Sequence, residues 1–278
     1  MAEQFDLELF ENDAHQNGIR YWIAHDFMQH LGYESWNTFK SVINKAMSSC
    51  ANLEIDIMDN FTQVDTVFQG KEVKSFKLSR FACFLVTMHA DSKKEQVAQA
   101  KTILAAVADK LVQNAIDDEA IQRLEVRKKL ADGEQVMSAS AKSAGLLPEH
   151  FGLFKDSGFR GMYNMSLAEL KRFKHIPDDK RTLYDFMGNT ELAGNWFRVT
   201  QTAERIKSQR VKGLPALQQT ASQVGKEVRD MMIKNSGIAP EHLELEQDIK
   251  QVKKTLKGAN KEMIKYDKPK KLPNKKNK

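Results

Sequence analysis

The segment 187–207 (MGNTELAGNWFRVTQTAERIK) contains the side chains of this chain that are best suited to binding chemistry. Arg198 and Arg205 are suited to phosphates, and Asn195 and Gln201 can hydrogen-bond to adenine edges or to a nucleic-acid backbone. Apolar residues recur here at spacings of three and four, which predicts one buried helical face: Leu192, Trp196, Val199, Ala203 and Ile206. We therefore predict that the four polar side chains form an outward binding surface, although a merely solvated helix face has the same periodicity.

Catalytic motifs are not found in the sequence. It contains no GxxxxGK[ST] phosphate loop, no HExxH zinc motif and no GxSxG nucleophile turn. Four acids lie close together in sequence and could hold a nuclease metal: Glu54, Asp56, Asp59 and Asp65. Solvated loop acids explain the same pattern without a metal. We predict a non-catalytic protein without a cofactor or metal, and a metal-dependent nuclease is the competing interpretation.

The charge of the chain is concentrated at its end. The 278 residues carry a net charge of +6, and residues 251–278 hold eleven lysines and two acids. A basic tail of this kind binds nucleic acid or keeps the chain in solution. The two cysteines form no disulfide framework, which fits a reducing cytoplasm. We find neither a signal peptide nor a run of about 18 apolar residues, so we expect no membrane association.

The first ninety residues combine strand and helix signals. Residues 5–9 alternate apolar and polar side chains, and Asn17-Gly18 favours a tight turn, so we predict a hairpin over residues 5–23. A short helix at 26–30 and a second helix capped by Ser35 have helix-turn-helix spacing. Lys40 and Lys45 would be the phosphate contacts of the second helix, unless they are merely solvated.

The following residues predict a second hairpin and then mainly helices. Strands are expected at 61–68 and 73–76 with a turn at Gly70-Lys71, followed by a helix at 76–88 in which Arg80 makes a local ion pair. Helices are predicted over 92–130, with a break at Asp132-Gly133. Residues 151–163 are expected to form a packed loop or short helices. Glycines there would serve tight turns.

These patterns predict an α+β fold that is mainly helical. Its segments would be an N-terminal module with hairpins at 1–91, connecting helices at 92–145, a helical C-terminal domain at 146–258 and a disordered lysine-rich tail at 259–278.

Three blocks, in order along the chain, resemble the DNA-damage-inducible protein D family of bacteria. They are LSRFAC at 78–83, GFRGMY at 158–163 and a C-terminal block that includes TELA at 190–193 and TQT at 200–202. Residues 21–33, from YWIA to LGY, resemble the start of the BRO N-terminal module of phage antirepressors and viral DNA-binding proteins. The resemblance implies a β-wing at the second hairpin, which makes Lys71 and Lys74 candidate groove or backbone contacts.

The family resemblance implies a function in the DNA damage response through binding. The expected partner is single- or double-stranded DNA, or the recombinase–DNA filament, and the protein would modulate recombination. Two further functions fit the same sequence: a sequence-specific regulator of the phage antirepressor type, which would act as a homodimer, and a protein–protein adaptor. The expected location is the cytoplasm, at the nucleoid when the protein is bound to DNA.

Overall fold

A computed structural model describes residues 5–112, 118–176 and 181–269. The described chain is mainly helical with one small antiparallel sheet, so the predicted α+β class is confirmed. It forms two compact units. The first unit comprises Met1–Ile121 and Gln251–Lys278, and the second comprises Gln122–Lys250. The segment boundaries expected from the sequence, at 1–91, 92–145, 146–258 and 259–278, stay a prediction.

The helices and strands follow one another in a simple order. The chain begins with α1 (Leu7–Asn12), β1 (His15–Asn17), β2 (Ile19–Ile23), α2 (Ala24–His30), α3 (Trp36–Asn52), β3 (Phe61–Phe68), β4 (Lys71–Leu78), α4 (Arg80–His89) and α5 (Glu95–Val112). It continues with α6 (Asp118–Ser143), α7 (Phe151–Tyr163), α8 (Leu167–Phe173), α9 (Asn189–Ser208), α10 (Leu214–Ser236) and α11 (Ile249–Asp267). Short 3-10 turns lie at Pro148–His150, Leu183–Phe186 and Pro240–His242.

Two hairpins build the four-stranded sheet, whose order is β1-β2-β4-β3. Gly18 turns the first hairpin at a φ of 79°, and Gln69 and Gly70 turn the second at 50° and 77°. These left-handed conformations match the tight turns predicted at both positions. A strand at residues 5–9 is wrong, because Asp6 caps α1 there by accepting hydrogen bonds from the backbone of Glu8 and Leu9.

Serine caps set the starts of the helices that flank the second hairpin. Ser35 caps α3 as predicted, and Phe39, Val42, Ile43 and Ala46 lie on its buried side. The helix predicted from residue 76 begins instead at Arg80, because β4 runs to Leu78 and the Ser79 hydroxyl accepts a hydrogen bond from Ala82 at 3.0 Å. Local polar signals therefore determine these boundaries.

Arg80 links α4 to α11 and α1 within the first unit. Its guanidinium and Asp267 are both buried and make hydrogen bonds of 2.7 and 2.9 Å, and Glu11 accepts further bonds from the guanidinium. The structural role predicted for Arg80 is present, but its partners are distant in sequence. Disorder over residues 259–278 is wrong for 259–267, which form the end of α11. Residues 270–278 lie outside the described part of the chain.

Replacing Asp267 by alanine is expected to lower the free energy of unfolding by about 3 kcal/mol, because a buried guanidinium loses one of its two carboxylate partners. Urea denaturation of the full chain measures the change. Glu262→Ala removes a half-buried acid of the same helix and is expected to stay within about 0.5 kcal/mol of wild type. Equal effects of the two substitutions would contradict a structural role for Asp267.

In the second unit, α7 and α10 are in close backbone contact. A Cβ at Gly161 would lie 2.0 Å from the Ser222 carbonyl oxygen, and one at Gly225 would lie 2.5 Å from the Gly158 carbonyl oxygen. The packed loop or short helices predicted for residues 151–163 are therefore wrong, because these glycines serve helix packing within one continuous helix. Gly133 likewise lies inside α6, where a Cβ would approach Val199, so no break occurs there.

The glycine contact gives a prediction with a control in the same helix. Gly161→Ala is expected to destabilise the protein by at least about 2 kcal/mol, because α10 must move away from α7. Gly152 has no atom within 4 Å of its would-be Cβ, so Gly152→Ala is expected to be neutral or to stabilise α7 by up to about 1 kcal/mol. Thermal unfolding followed by circular dichroism separates the two. A tolerated Gly161→Ala would show that the helices are not in this contact.

A chain of polar side chains crosses the core of the second unit. Asn195 donates to the Tyr163 hydroxyl at 2.6 Å, and its amide oxygen accepts from Arg198 at 3.0 Å. The Tyr163 hydroxyl donates in turn to Glu191 at 3.0 Å, and Glu191 pairs with Lys174 at 3.0 Å. All five side chains are buried. Buried polar groups are tolerated here because each has a partner.

Burial is the main influence on the pKa values of Glu191 and Tyr163 in this polar chain. Desolvation raises the pKa of Glu191, and the Lys174 ammonium opposes that rise. Desolvation also raises the pKa of Tyr163 well above its usual value, so its hydroxyl is protonated and available as a donor. The guanidinium of Arg198 lies 4.8 Å from the centre of the Phe159 ring, which gives the cation a second contact.

Asn195→Ala is expected to lower the free energy of unfolding by about 3 kcal/mol, since both Tyr163 and Arg198 lose a partner in the core. Gln201→Ala, on the same helix but exposed, is expected to change it by less than about 0.5 kcal/mol. Chemical denaturation of the two variants is the measurement. An Asn195→Ala variant with the stability of wild type would indicate that Asn195 lies on the helix surface and not in the core.

Candidate nucleic-acid interface

The four side chains predicted as a binding surface on α9 do not lie together on its outer face. Asn195 and Arg198 are 0% and 2% exposed and belong to the core, so their predicted outward position is wrong. Arg205 makes a bidentate ion pair with Glu227, at 3.0 and 2.6 Å. Gln201 alone of the four is exposed. Periodicity predicted the helix correctly but did not show that its buried face is partly polar.

Aromatic side chains take the outer positions of α9 instead. Trp196, which was expected to face the core, is 38% exposed, and Phe197 is 44% exposed. The Lys129 ammonium lies 5.5 Å from the centre of the Trp196 ring. The apolar residues Leu192, Val199 and Ala203 are buried as predicted. The buried face of α9 is therefore wider than its apolar stripe and includes the polar side chains of Asn195 and Arg198.

In the first unit, two predicted phosphate contacts line one groove. Lys40 of α3 and Lys74 of β4 face a cavity of about 210 Å³ between the start of α3 and the second hairpin. The other residues that line it are Trp36, Gln63, Val64, Asp65, Ser75 and Phe76. Cations from a helix and from a hairpin are thus brought to the same concave surface.

The helix and the hairpin place these side chains by their own periodicities. Trp36 is the first residue of α3 and Lys40 follows one turn later, so the two share a helical face. In the hairpin, Gln63 pairs with Phe76 and Asp65 with Lys74, in antiparallel register. The turn at Gly70 fixes that register, so a slip of one residue would move Lys74 to the other face.

His25 supports the aromatic side of the groove. Its ring stacks on Trp36 with the centroids 3.7 Å apart, and its Nδ1 lies 2.8 Å from the Ser75 hydroxyl oxygen. Burial lowers the pKa of His25, and the nearby Asp26 carboxylate partly opposes this. The imidazole is therefore neutral at neutral pH and acts as a stacking and hydrogen-bonding support for Trp36.

The other two predicted lysines lie outside this groove. Lys71 follows the turn of the second hairpin and is exposed, and Lys45 is an exposed residue of α3 that does not line the cavity. Among the residues that the structure describes, none forms an ion pair within 4 Å with Lys40, Lys45, Lys71 or Lys74. Lys40 and Lys74 are thus available to an anionic ligand of the groove.

The acids considered for a nuclease metal are exposed, and two of them have other partners. Glu54 pairs with Lys257 at 2.7 Å, and this hydrogen bond lowers the pKa of Glu54. Asp56 accepts a hydrogen bond from the backbone of Met58, and Asp65 lines the groove. Over residues 5–112, 118–176 and 181–269, no group of three or more His, Cys, Asp or Glu side chains could hold a metal ion.

In the same ranges no helix has the length and apolar character needed to cross a membrane.

The groove combines three kinds of group that proteins use to bind nucleic acids. Trp36 offers an aromatic surface for a base, Gln63 an amide for base edges or sugar, and Lys40 and Lys74 offer charge for phosphates. Sequence reasoning missed Trp36, which it placed on the buried side of α3, and it did not consider Gln63. The available signal was a tryptophan one helical turn before a predicted phosphate contact.

Two domain families match successive parts of the chain. The BRO family N-terminal domain matches residues 13–105, a range that contains every residue of the groove. The DinD C-terminal domain matches residues 116–252, which include α9 and α10. The predicted BRO-like module and the predicted C-terminal resemblance are both confirmed.

A curated relative supports the same assignment over most of the length. The DNA damage-inducible protein D of Escherichia coli (strain K12) is 31% identical over 256 residues, which cover 87% of this chain and 92% of the relative. The family resemblance seen in the sequence is thus confirmed over most of the chain rather than in isolated blocks. The chain belongs to the DNA damage-inducible protein D family.

Proposed function

We propose that this protein acts in the response to DNA damage by binding DNA through the groove of its first unit, without catalysing a reaction. One observation carries the proposal: Trp36, Lys40 and Lys74 line a single groove between α3 and the β3–β4 hairpin. The name of the relative links its family to DNA damage, and neither domain description denotes an enzyme.

The chemistry of the groove favours single-stranded DNA. A base can stack on an aromatic ring only when it is free of its own neighbours, as it is in a single strand. Lys40 and Lys74 would neutralise phosphates on either side of that base, and the amide of Gln63 would contact its edge or sugar. Single-stranded DNA is also what damage exposes and what a recombinase coats, so the recombinase–DNA filament is the proposed partner in the cell.

A sequence-specific regulator is the second candidate. The α2–turn–α3 pair followed by a hairpin supports it, because helix pairs with a β-wing place a helix and a hairpin on duplex DNA. This function requires a large ratio between the affinities for one duplex sequence and for random duplex. A homodimer on a two-fold symmetric site would accompany it.

The test is fluorescence anisotropy with the full chain on single-stranded, duplex and recombinase-coated single-stranded DNA across a salt series. Lys40→Gln/Lys74→Gln is expected to reduce the slope of log affinity against log salt by about 1.4 on single strands, at about 0.7 for each phosphate contact. Trp36→Leu is expected to weaken single-strand binding about tenfold, which corresponds to the loss of one stacked base at about 1–3 kcal/mol.

Lys45→Gln/Lys71→Gln is the matched control. It removes the same charge from α3 and β4, the elements that carry Lys40 and Lys74, but outside the groove. Unchanged affinity and slope for the groove variant, or equal losses for groove and control variants, would refute the groove as the binding site. Preference for one duplex sequence would favour the regulator, and cleavage of the DNA in the presence of magnesium would refute a non-catalytic function.

A further inference from the structure

The last helix has one face that is entirely cationic. In α11, Lys254, Lys257, Lys261 and Lys265 follow one another at spacings of three and four, which puts them on one side of the helix. We call these four residues the lysine face. Lys254, Lys261 and Lys265 are exposed, and Lys257 is half-buried and paired with Glu54.

The opposite side of α11 packs into the protein. Val252, Leu256, Ala259 and Met263 are buried, and Asp267 at the end of the helix pairs with Arg80. An amphipathic helix whose apolar side is already covered cannot insert that side into a membrane. The lysine face is therefore a fixed, solvent-facing array of charge on the first unit.

Two of the four lysines in this array have no acidic partner in the described part of the chain, in contrast to the outer faces of α6 and α10. In α10, Glu227 pairs with Arg205 and Arg229 with Glu241, and in α6 Lys128 pairs with Asp132. Of the two acids in α11, Asp267 is buried with Arg80, which leaves Glu262 beside Lys265. Among described residues, none forms an ion pair within 4 Å with Lys254 or Lys261. Lys254 and Lys261 therefore carry charge that no described acid compensates, and such charge favours a polyanion as the partner.

We infer that the lysine face binds the phosphate backbone of duplex DNA without reading its sequence. From Lys254 to Lys265 the helix rises about 16 Å, at about 1.5 Å per residue, and each strand of duplex DNA carries one phosphate about every 3.4 Å of the duplex axis. The row of four ammonium groups therefore passes about five phosphates of one strand when α11 lies along that axis. Lysine supplies charge without the planar fork that reads bases, so the contact raises affinity for every duplex alike.

This inference rests on the proposed DNA binding, but the lysine face is a separate site from the groove. A charge-matched pair of variants tests it: Lys254→Gln/Lys261→Gln/Lys265→Gln on the lysine face, and Lys212→Gln/Lys226→Gln/Lys234→Gln on exposed lysines of the second unit. Duplex binding by the full chain is measured over a salt series. The lysine-face variant is expected to reduce the salt slope by up to about 2.7, at about 0.9 per phosphate contact, while the second-unit variant keeps it.

A lysine-face variant with the slope of wild type, or equal losses in the two triple variants, would overturn the inference. So would a wild-type chain that does not bind duplex at all. The arginine counterpart, Lys254→Arg/Lys261→Arg/Lys265→Arg, is expected to restore the slope because charge alone is required. Lys40→Gln/Lys74→Gln titrated with single-stranded DNA separates the two proposals: if it changes nothing there while the lysine-face variant loses slope on duplex, the groove proposal fails and the lysine face stands.

Discussion

The first unit depends on the pairing of one buried arginine. Arg80 begins α4, and its guanidinium contacts Glu11 from the start of the chain and Asp267 from its end. The ring centres of Trp22 and Tyr266 lie 4.8 and 5.0 Å from it. A buried cation is tolerated only when such partners surround it. The charge on α4 therefore requires that α1 and α11 both pack within the same unit.

This requirement changes the meaning of the lysine-rich end. In sequence, residues 251–278 look like a detachable basic tail, because lysines outnumber apolar residues there. In the structure, Leu256 and Met263 are buried, and Lys257 pairs with Glu54 of the first unit. The charge of residues 251–267 is thus held in a defined orientation. Cutting the chain at Asn260 would remove Asp267 and leave Glu11 as the carboxylate partner of the buried Arg80, so truncation would test folding rather than binding.

Local signals in the sequence predicted the parts of the fold that local chemistry determines. Ser35 caps its helix and Gly70 turns its hairpin, and both features depend on residues within one turn of chain. Contacts between distant residues were not predictable in this way. Gly161 looks like a turn residue until the Ser222 carbonyl is placed against it.

The candidate sites also show that local sequence patterns do not predict contacts between distant residues. Asn195 and Arg198 have the composition of a binding surface, yet a buried polar chain uses the same residue types, and helical periodicity does not distinguish the two. Lys40 and Lys74 were each proposed from their own element, and no sequence pattern linked them. Their shared groove arises because α3 and β4 both pack within the first unit.

Affinity and recognition are separable within this architecture. The groove lies wholly inside the match to the BRO family N-terminal domain, whereas Lys254, Lys261 and Lys265 lie beyond residue 252, where the second domain match ends. Phosphate contacts act through charge and tolerate changes of residue, but an aromatic groove depends on the geometry of specific side chains. We therefore expect the preference for single strands to depend on the groove, and the strength and salt dependence of duplex binding to depend mainly on the lysine face of α11. Loss of the lysine face would weaken binding to all duplex sequences alike and leave the single-strand contacts of the groove in place.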